Sequence, residues 1–441
     1  MFKRALLFVF IFSLFLSFSI GPMASAQEEV VFWSTDDHPD RVARYEKVAE
    51  EFMEENPDVN VKIVPVDESA LSQKIAAARA AGNLPDMARL GVERVFNFAT
   101  EGLLDEKAAQ QVISRIGEGK FRGRTLEMVK NPETGSYAAL PYDGWIQGLW
   151  YRSDVFQDLA LTPPTSWADI NSAVDTLPGE HGLDYAMTLG TKPGETSPHQ
   201  WFEQVAISND AWPFDREGNV TMNSQKMVEA LDFYTSLQRG AVPGPQAHDT
   251  GLETYQAGQT GMSWYSTYIM DDLVQATADV DISVNNLADK TAFASKMVGP
   301  RGTATYGTLI ALGIFEDASP ATTEVAEYFL QDGYLDILEL SPFGKVPVLE
   351  GKIEGWKKLS PAFKEIPDPT LNEIVNGYEN IQRWVLKPEY GPSEKAVIGE
   401  MEGRKLIPQA LSRIAIEETW TPKEAANWLQ DRVEELMAEQ Q

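Results

Sequence analysis

The sequence predicts an α/β protein of two lobes, with the chain passing between the lobes in extended conformation. In the first third of the chain, short β-prone runs alternate with amphipathic helical stretches, an order that favours a mostly parallel sheet covered by helices. The aromatic stretch 137–151 (YAALPYDGWIQGLWY) is then typical of extended chain, and a second alternating pattern follows it. We expect this stretch to be the first crossover, its aromatic residues lining the cleft between the lobes.

The first unit is a strand, a helix and a second strand. A β-rich run at 29–34 is followed by a helix from about Asp40, whose apolar residues recur at helical spacing. Asn56-Pro57 ends this helix, because a residue before proline is pushed out of helical geometry. The next strand spans 59–66, and such short connections predict a parallel, right-handed pair.

The elements that follow are predicted in the same way. The helices are expected at 69–81, 93–100, 167–176, 227–238 and 320–331, and the strands at 84–90, 262–268 and 305–314. Gly82-Asn83 ends the helix at 69–81. A turn-rich segment at 342–347 precedes a largely helical C-terminal section.

The N-terminus has the pattern of a secretory signal peptide. Lys3 and Arg4 precede an apolar run at 5–20, and Ala24-Ser25-Ala26 forms a small-residue cleavage site. We therefore expect residues 1–26 to be removed on export.

Cysteine is absent, which excludes disulfides, thiolate metal sites and thiol nucleophiles. It also leaves no residue for lipid attachment behind the signal peptide. The expected location is the periplasm, without a lipid anchor.

Acidic residues dominate, with 66 Asp and Glu against 37 Lys and Arg and a formal net charge of −29. Such a surface repels nucleic acid and anionic lipid, so neither is an expected partner. The four histidines are scattered without metal-ligand spacing, and no G-x-S-x-G elbow or phosphate-binding glycine loop occurs. We predict no metal, no cofactor and no catalytic residue.

Seven segments in order resemble the extracellular solute-binding proteins of carbohydrate import systems, the maltose-binding-protein class. They are VVFWSTDD, RYEKVAEEFMEENPDVNVKIVPV, AAARAAGNLPDMARLGVERVFNFATEGLL, YAALPYDGWIQGLWYRSDVF, AGQTGMSWYSTY, TYGTLIALGIFEDASPATTEVAEYFL and TPKEAANWLQDRVEEL. The resemblance covers nearly the whole chain after the signal peptide.

This resemblance implies two α/β lobes joined by a multi-strand hinge, with crossings near Leu140-Pro141, at 306–311 and at 344–347. The N-terminal lobe would comprise 27–140 plus 308–343, and the C-terminal lobe 141–307 plus 344–441. A sugar would bind between the lobes, which close on it by hinge motion. A monomer would then deliver the sugar to the membrane permease subunits of an ABC importer.

Candidate ligand contacts lie where strands end, because α/β sheets place ligands there. Aromatic rings stack on the C–H faces of sugars, while carboxylates and amides pair with the hydroxyls. The candidates are Trp33, Asp36, Asp37, Glu93, Tyr142, Asp143, Trp145, Trp264, Ser266, Tyr268, Tyr306, Gly307 and Thr308.

Structural roles compete with ligand binding at several of these positions. Asp36, Asp37 and Glu93 could cap helices, where negative charge is favourable, and a tryptophan within a strand, such as Trp264, is often a core residue. Two other functions also stay open. One is binding of a non-sugar osmolyte or small polar solute, and the other is a secreted glycoside hydrolase with an acid pair such as Asp36/Asp143 or Asp37/Glu93.

Overall fold

The computed structural model describes residues 27–131, 133–275 and 281–440. The predicted signal peptide, 1–26, lies outside the described residues. Across the described ranges the chain forms ten β-strands and seventeen α-helices. The strands are β1 (Glu28–Ser34), β2 (Val59–Pro65), β3 (Met87–Gly91), β4 (Leu140–Arg152), β5 (Tyr185–Met187), β6 (Thr260–Ser266), β7 (Thr291–Ala294), β8 (Lys296–Val298), β9 (Thr303–Ile314) and β10 (Val346–Pro347).

The helices surround this sheet. They are α1 (Pro39–Glu55), α2 (Leu71–Ala81), α3 (Val92–Thr100), α4 (Glu106–Ile116), α5 (Ser153–Asp158), α6 (Trp167–Thr176), α7 (Ser197–Ser208), α8 (Gln225–Ser236), α9 (His248–Gln256), α10 (Ile269–Leu273), α11 (Thr322–Leu330), α12 (Tyr334–Leu338), α13 (Ile353–Trp356), α14 (Asp368–Tyr378), α15 (Pro392–Gly403), α16 (Leu406–Ala415) and α17 (Pro422–Glu439).

The strands form one mixed sheet of order β2-β1-β3-β9-β4-β6-β5, in which β10 and β7 also pair with β4, and β8 with β9. The first two strands are parallel, as predicted. β9 is antiparallel to both β3 and β4, and β4 continues into antiparallel pairing with β6. The long central strands β4 and β9 therefore link the early part of the sheet to the later part.

The three segments predicted as crossings are hydrogen-bonded neighbours in this sheet. Leu140 and Pro141 lie opposite Leu312 and Ala311, and the pairing shifts register between Pro141 and Asp143. Asp143 also lies opposite Pro347 in β10. Proline cannot donate to a sheet ladder, which explains an irregularity of pairing at this point.

The early elements match the prediction closely. Helix α1 buries Tyr45, Val48, Ala49 and Phe52, and it ends at Asn56, whose backbone N–H bonds to the Phe52 carbonyl. Gly82 ends α2 in the left-handed conformation with φ of 69°. This backbone geometry suits glycine because glycine has no Cβ to clash.

Two predicted strands have different limits from those expected. The strand expected at 84–90 begins only at Met87, and the strand expected at 262–268 ends at Ser266. Beyond Ser266 the Thr267 backbone N–H bonds to the Ile146 carbonyl, and Tyr268 takes a helical conformation before α10. Tyr268 therefore lies after the strand instead of within it.

The sequence pattern did not predict α4, β5 or α7. Helix α4 carries a side-chain cap, because Asp105 accepts hydrogen bonds from the Lys107 and Ala108 backbone N–H groups. Helix α7 buries every residue except Gln200. A helix buried on all sides lacks the polar face that makes helical periodicity visible in a sequence.

The core is continuous through the sheet and its covering helices. No helix within the described ranges is both long enough and apolar enough to cross a membrane.

Candidate functional site

Four buried charged residues meet beside the central strands. Asp36 follows β1, Arg89 lies in β3, Asp143 in β4, and Lys345 just before β10. The Lys345 Nζ lies 3.1 Å from Asp36 Oδ2 and 3.4 Å from Asp143 Oδ2. Arg89 lies 3.3 Å from each carboxylate, through Nε to Asp36 and through Nη2 to Asp143. We call these four residues the interior charge cluster.

The cluster balances its own charge in the interior. Burial alone would raise the pKa of Asp36, but Arg89, Lys345 and the nearby Arg41 together hold that pKa below its ordinary value. The Tyr45 hydroxyl also donates to Asp36 Oδ2 at 3.1 Å. The carboxylates of Asp36 and Asp143 are thus engaged by the protein's own cations.

A cavity of about 400 Å³ lies beside β4, and we call it the aromatic pocket. Its walls come from β4, the end of β6, the first turn of α7 and the start of α9. Three predicted residues, Trp145, Ser266 and Tyr268, line it. The other lining residues are Gln147, Glu195, Thr196, Ser197, Gln200, Trp201, His248 and Tyr265.

Strands β4 and β6 form the base of the aromatic pocket. Trp145 and Gln147 are two residues apart on β4 and so share one face, and Gln147 lies opposite Ser266 on β6. Tyr268 packs against Gly344, where an added Cβ would lie 2.1 Å from the tyrosine ring. This position therefore accepts only glycine unless Tyr268 moves.

Helix α7 supplies the polar part of the wall. Its first turn presents Ser197 and Gln200, and the Ser197 hydroxyl accepts a hydrogen bond from the His248 backbone N–H at 3.2 Å. Across the described residues, the buried Nε2 of Gln147 has no hydrogen-bond partner. A buried amide without a partner costs free energy, so a ligand oxygen that accepted this hydrogen bond would be stabilised.

The pocket therefore combines aromatic faces with hydroxyl, amide and carboxylate groups. Stacking on Trp145 and Tyr268 would position an apolar C–H face, and the polar groups would bind hydroxyls around its rim. The centroids of the Trp145 and Tyr306 rings are 6.0 Å apart, so the buried Tyr306 ring helps to orient Trp145.

Tyr142, Trp264 and Tyr306 are fully buried and do not reach the pocket surface. Tyr142 packs against Tyr334 with ring centroids 5.8 Å apart. Trp264 stacks on Trp201 at 6.1 Å and donates its indole N–H to Gln204. All three side chains pack within the protein interior.

Gly307 and Thr308 are buried in β9. A Cβ on Gly307 would lie 2.5 Å from the Trp145 carbonyl oxygen, so the glycine permits close pairing of the two central strands. Thr308 lies directly opposite Trp145 in that pairing. Both residues position Trp145 from the neighbouring strand.

The structure places Trp33, Asp37 and Glu93 outside the aromatic pocket wall. Trp33 is half-buried near the end of β1, and Asp37 is exposed. Glu93 lies in the first turn of α3 and its side chain is 43% exposed.

Sequence reasoning missed most of the pocket's polar residues. Gln147 follows Trp145 by two positions, so the strand alternation could have identified it. Ser197, Gln200 and Trp201 belong to α7, which the sequence pattern did not show. Of the residues described, no three His, Asp or Glu side chains form a group that could hold a metal ion.

Comparison with known proteins shows the family. The family profile of bacterial extracellular solute-binding proteins matches residues 35–315. The putative ABC transporter periplasmic-binding protein YcjN of Escherichia coli (strain K12) is 28% identical over 356 residues, covering 79% of this chain and 80% of the relative. A mannitol-binding protein of Pseudomonas aeruginosa is 23% identical over 322 residues, covering 71% of each chain.

Solved structures show the same fold. The sugar-binding protein MalE from Xanthomonas citri superposes with a TM-score of 0.72 at 17% identity, covering 93% of this chain and 98% of that one. The predicted α/β fold of two lobes with a multi-strand hinge is thereby confirmed. The chain belongs to the family of bacterial extracellular solute-binding proteins.

Proposed function

We propose that the protein binds a sugar or polyol in the aromatic pocket and delivers it unchanged to the permease subunits of an ABC importer. The observation that carries this proposal is that Trp145 and Tyr268 share one cavity with Gln147, whose Nε2 has no hydrogen-bond partner among the described residues. Rings that stack on C–H faces, next to a donor that needs an oxygen, suit a neutral polyhydroxy ligand.

The relatives support the same solute class. One is a mannitol-binding protein, one is a periplasmic-binding protein of an ABC transporter, and the similar fold of MalE belongs to a sugar-binding protein. These three proteins are not named for one common solute, so the particular sugar is a matter for experiment.

We further propose that the lobes comprise 27–140 plus 308–343 and 141–307 plus 344–441. The residues that line the aromatic pocket belong to the second of these lobes, and the first lobe would close over the solute by hinge motion. The pairing of β10, β4 and β9 supports a hinge at the three predicted crossings. With these boundaries the interior charge cluster would join Asp36 and Arg89 of one lobe to Asp143 and Lys345 of the other.

The proposal includes export and release as a free monomer. Its support is the signal-peptide pattern at 1–26 and the absence of cysteine for a lipid anchor. The acidic composition agrees with a carrier that avoids anionic lipid and nucleic acid.

The Asp36/Asp143 pair gives no support to glycoside hydrolysis. A general acid must hold its proton at working pH, whereas the pKa of Asp36 is lowered by its three cationic neighbours. Arg89 and Lys345 also lie within ion-pair distance of both carboxylates.

Thermal unfolding against a solute panel tests the proposed function. The panel would contain monosaccharides, disaccharides, oligosaccharides, sugar alcohols and glycosylated polyols, with amino acids and betaine-type osmolytes as the competing class. A ligand at a hundredfold excess over its Kd should stabilise the protein by about 2.7 kcal/mol. Stabilisation by a non-sugar osmolyte, with none by any carbohydrate or polyol, would contradict the assignment.

A further inference from the structure

Tyr268 lies between the aromatic pocket and the predicted crossing at 344–347. The residue is half-buried and lines the pocket beside Ser266. On its other side the ring packs against Gly344, where an added Cβ would lie 2.1 Å from the ring. The Gly344 backbone therefore fills the space behind the ring, and the ring cannot withdraw from the pocket in that direction unless this segment moves with it.

Thr267 attaches the same part of the pocket wall to two segments of the chain. Its backbone N–H donates a hydrogen bond to the Ile146 carbonyl at 2.9 Å, and its hydroxyl donates to the Gly344 carbonyl at 3.0 Å. Thr267 is fully buried, so both hydrogen bonds are shielded from water. Residues 266–268 are therefore held to β4 and to the segment just before β10.

Lys345, the residue after Gly344, belongs to the interior charge cluster. Its ammonium contacts Asp36 of one proposed lobe and Asp143 of the other, at 3.1 and 3.4 Å. Tyr268 also borders this cluster. Burial raises the pKa of the Tyr268 hydroxyl, and the four cluster residues act on that pKa as well, the two cations lowering it and the two carboxylates raising it. The aromatic pocket and the cluster therefore meet at Tyr268.

We propose that Gly344 is a positioning residue for solute binding, and that its contact with Tyr268 couples the aromatic pocket to the interior charge cluster. This inference rests on the proposed saccharide-binding function. Gly344 is not among the residues that line the pocket, so it acts on the solute only through the tyrosine ring.

The coupling follows from the order of these contacts. A sugar stacked on Tyr268 holds the ring against Gly344 and so favours one position of Lys345. Because Lys345 joins Asp36 and Asp143, which belong to different proposed lobes, the same contact favours one arrangement of the lobes. Solute binding and lobe arrangement are then coupled through a single ring, and the coupling free energy is the same in both directions.

Calorimetric titration tests the role of Gly344. The probe is the saccharide or polyol of the thermal panel that stabilises the unmodified protein most. Gly344→Ala should weaken its binding by about tenfold or more, because the added methyl group displaces the Tyr268 ring. The matched control is Gly313→Ala, whose added Cβ would lie 2.5 Å from the Leu90 side chain within one proposed lobe. This control should lower stability and leave affinity unchanged.

Variants of Tyr268 separate positioning from general destabilisation. In Tyr268→Ala the ring is absent, so adding Gly344→Ala should change affinity by less than about twofold. Tyr268→Phe keeps the ring, and adding Gly344→Ala to it should cause the full loss of affinity. If Gly344→Ala does not fold, Thr267→Val removes the hydroxyl that is bonded to Gly344 and should weaken binding by about fivefold.

Distances between spin labels test the coupling to the lobes. The chain contains no cysteine, so Lys74→Cys and Asp232→Cys, at exposed positions of the two proposed lobes, provide one labelled pair. Saturating solute should shorten the distance between the two labels in the otherwise unmodified protein, and should shorten it less when Gly344→Ala is added.

The outcomes separate this inference from the proposed function. Unchanged affinity in Gly344→Ala, or losses of affinity that add in the double variant with Tyr268→Ala, overturn the positioning role and leave saccharide binding intact. An equal change of label distance with and without Gly344→Ala overturns the coupling to the lobes. If no saccharide or polyol binds the unmodified protein, the proposed function fails and this inference fails with it.

Discussion

At the scale of single residues, Trp145 is the side chain on which sugar recognition should depend most. It was predicted as a ligand contact, and the structure places it half-buried on the pocket wall. Trp145→Ala should weaken saccharide binding by more than about tenfold, because stacking on an aromatic face is lost.

Fluorescence titration would measure this loss. Trp428→Ala is the control, since Trp428 in α17 packs against Trp420 in the loop before that helix, with ring centroids 5.5 Å apart. It should leave affinity unchanged. Unaltered affinity in Trp145→Ala would instead assign that ring to the core.

The interior charge cluster should show strong coupling between its members. Lys345 is fully buried, so Lys345→Met removes one of the two buried cations that neutralise Asp36 and Asp143. This substitution should lower the free energy of unfolding by about 3–5 kcal/mol. Asp143→Asn should also destabilise. The double variant should lose less than the sum of the two, as urea unfolding would show. Additive losses would mean that the two charges do not interact.

Asp36 gives the cluster a defined pH dependence. Its pKa is lower in the folded protein than the ordinary value of 3.8, so its stabilisation is present at neutral pH and is lost as pH falls below about 4. Asp36→Asn should therefore be less stable than the unmodified protein at pH 7, with the difference shrinking toward pH 3. The exposed neighbour provides the control, because Asp37→Asn should follow the unmodified curve. A constant difference across this range would contradict the account.

The sequence could identify some site residues but not their partners. Asp36 and Asp143 were selected because they follow or interrupt predicted strands. Their cations could not be found in this way, since Lys345 is 309 residues from Asp36 along the chain. Chain distance likewise hid the packing of Tyr142, Trp264 and Tyr306 into the interior.

At the scale of elements, the central strands depend on close backbone approach. An added Cβ at Gly144 would lie 2.2 Å from the Thr308 carbonyl oxygen and 2.2 Å from the Tyr378 hydroxyl. Gly144→Ala should therefore destabilise the protein by about 1–3 kcal/mol, measured by urea unfolding.

A helical glycine gives the opposite expectation. Gly399 lies in α15 with no atom within 4 Å of an added Cβ. Gly399→Ala should stabilise by about 0.5–1 kcal/mol, because alanine loses less backbone entropy on folding. If Gly144→Ala and Gly399→Ala changed the free energy of unfolding equally, the backbone contact between Gly144 and Thr308 would not be close.

Elements with visible periodicity were predictable, and those without it were not. The β1–α1–β2 unit follows from an apolar helix face and a proline after the helix. Helix α7 does not, because all but one of its residues are buried. Helix α7 forms part of the pocket wall. Its burial on all sides therefore concealed from the sequence both the helix and the pocket residues that it carries.

At the scale of the whole molecule, family membership and fold agree with the order of elements along the chain. The proposed lobes are joined by the central strands, in which segments from the early and the late part of the chain pair with each other. A sugar in the aromatic pocket would contact the second lobe, and contacts with the first lobe made only in the closed form would drive closure. The central claim is that a carbohydrate or polyol occupies the aromatic pocket and is not chemically changed.

Native mass spectrometry of the protein with its co-purifying solute tests that claim most directly. The account predicts a one-to-one adduct with the mass of a saccharide or polyol, released unchanged on unfolding and absent from Trp145→Ala. An adduct of another chemical class, or a saccharide adduct retained fully by Trp145→Ala, would contradict it.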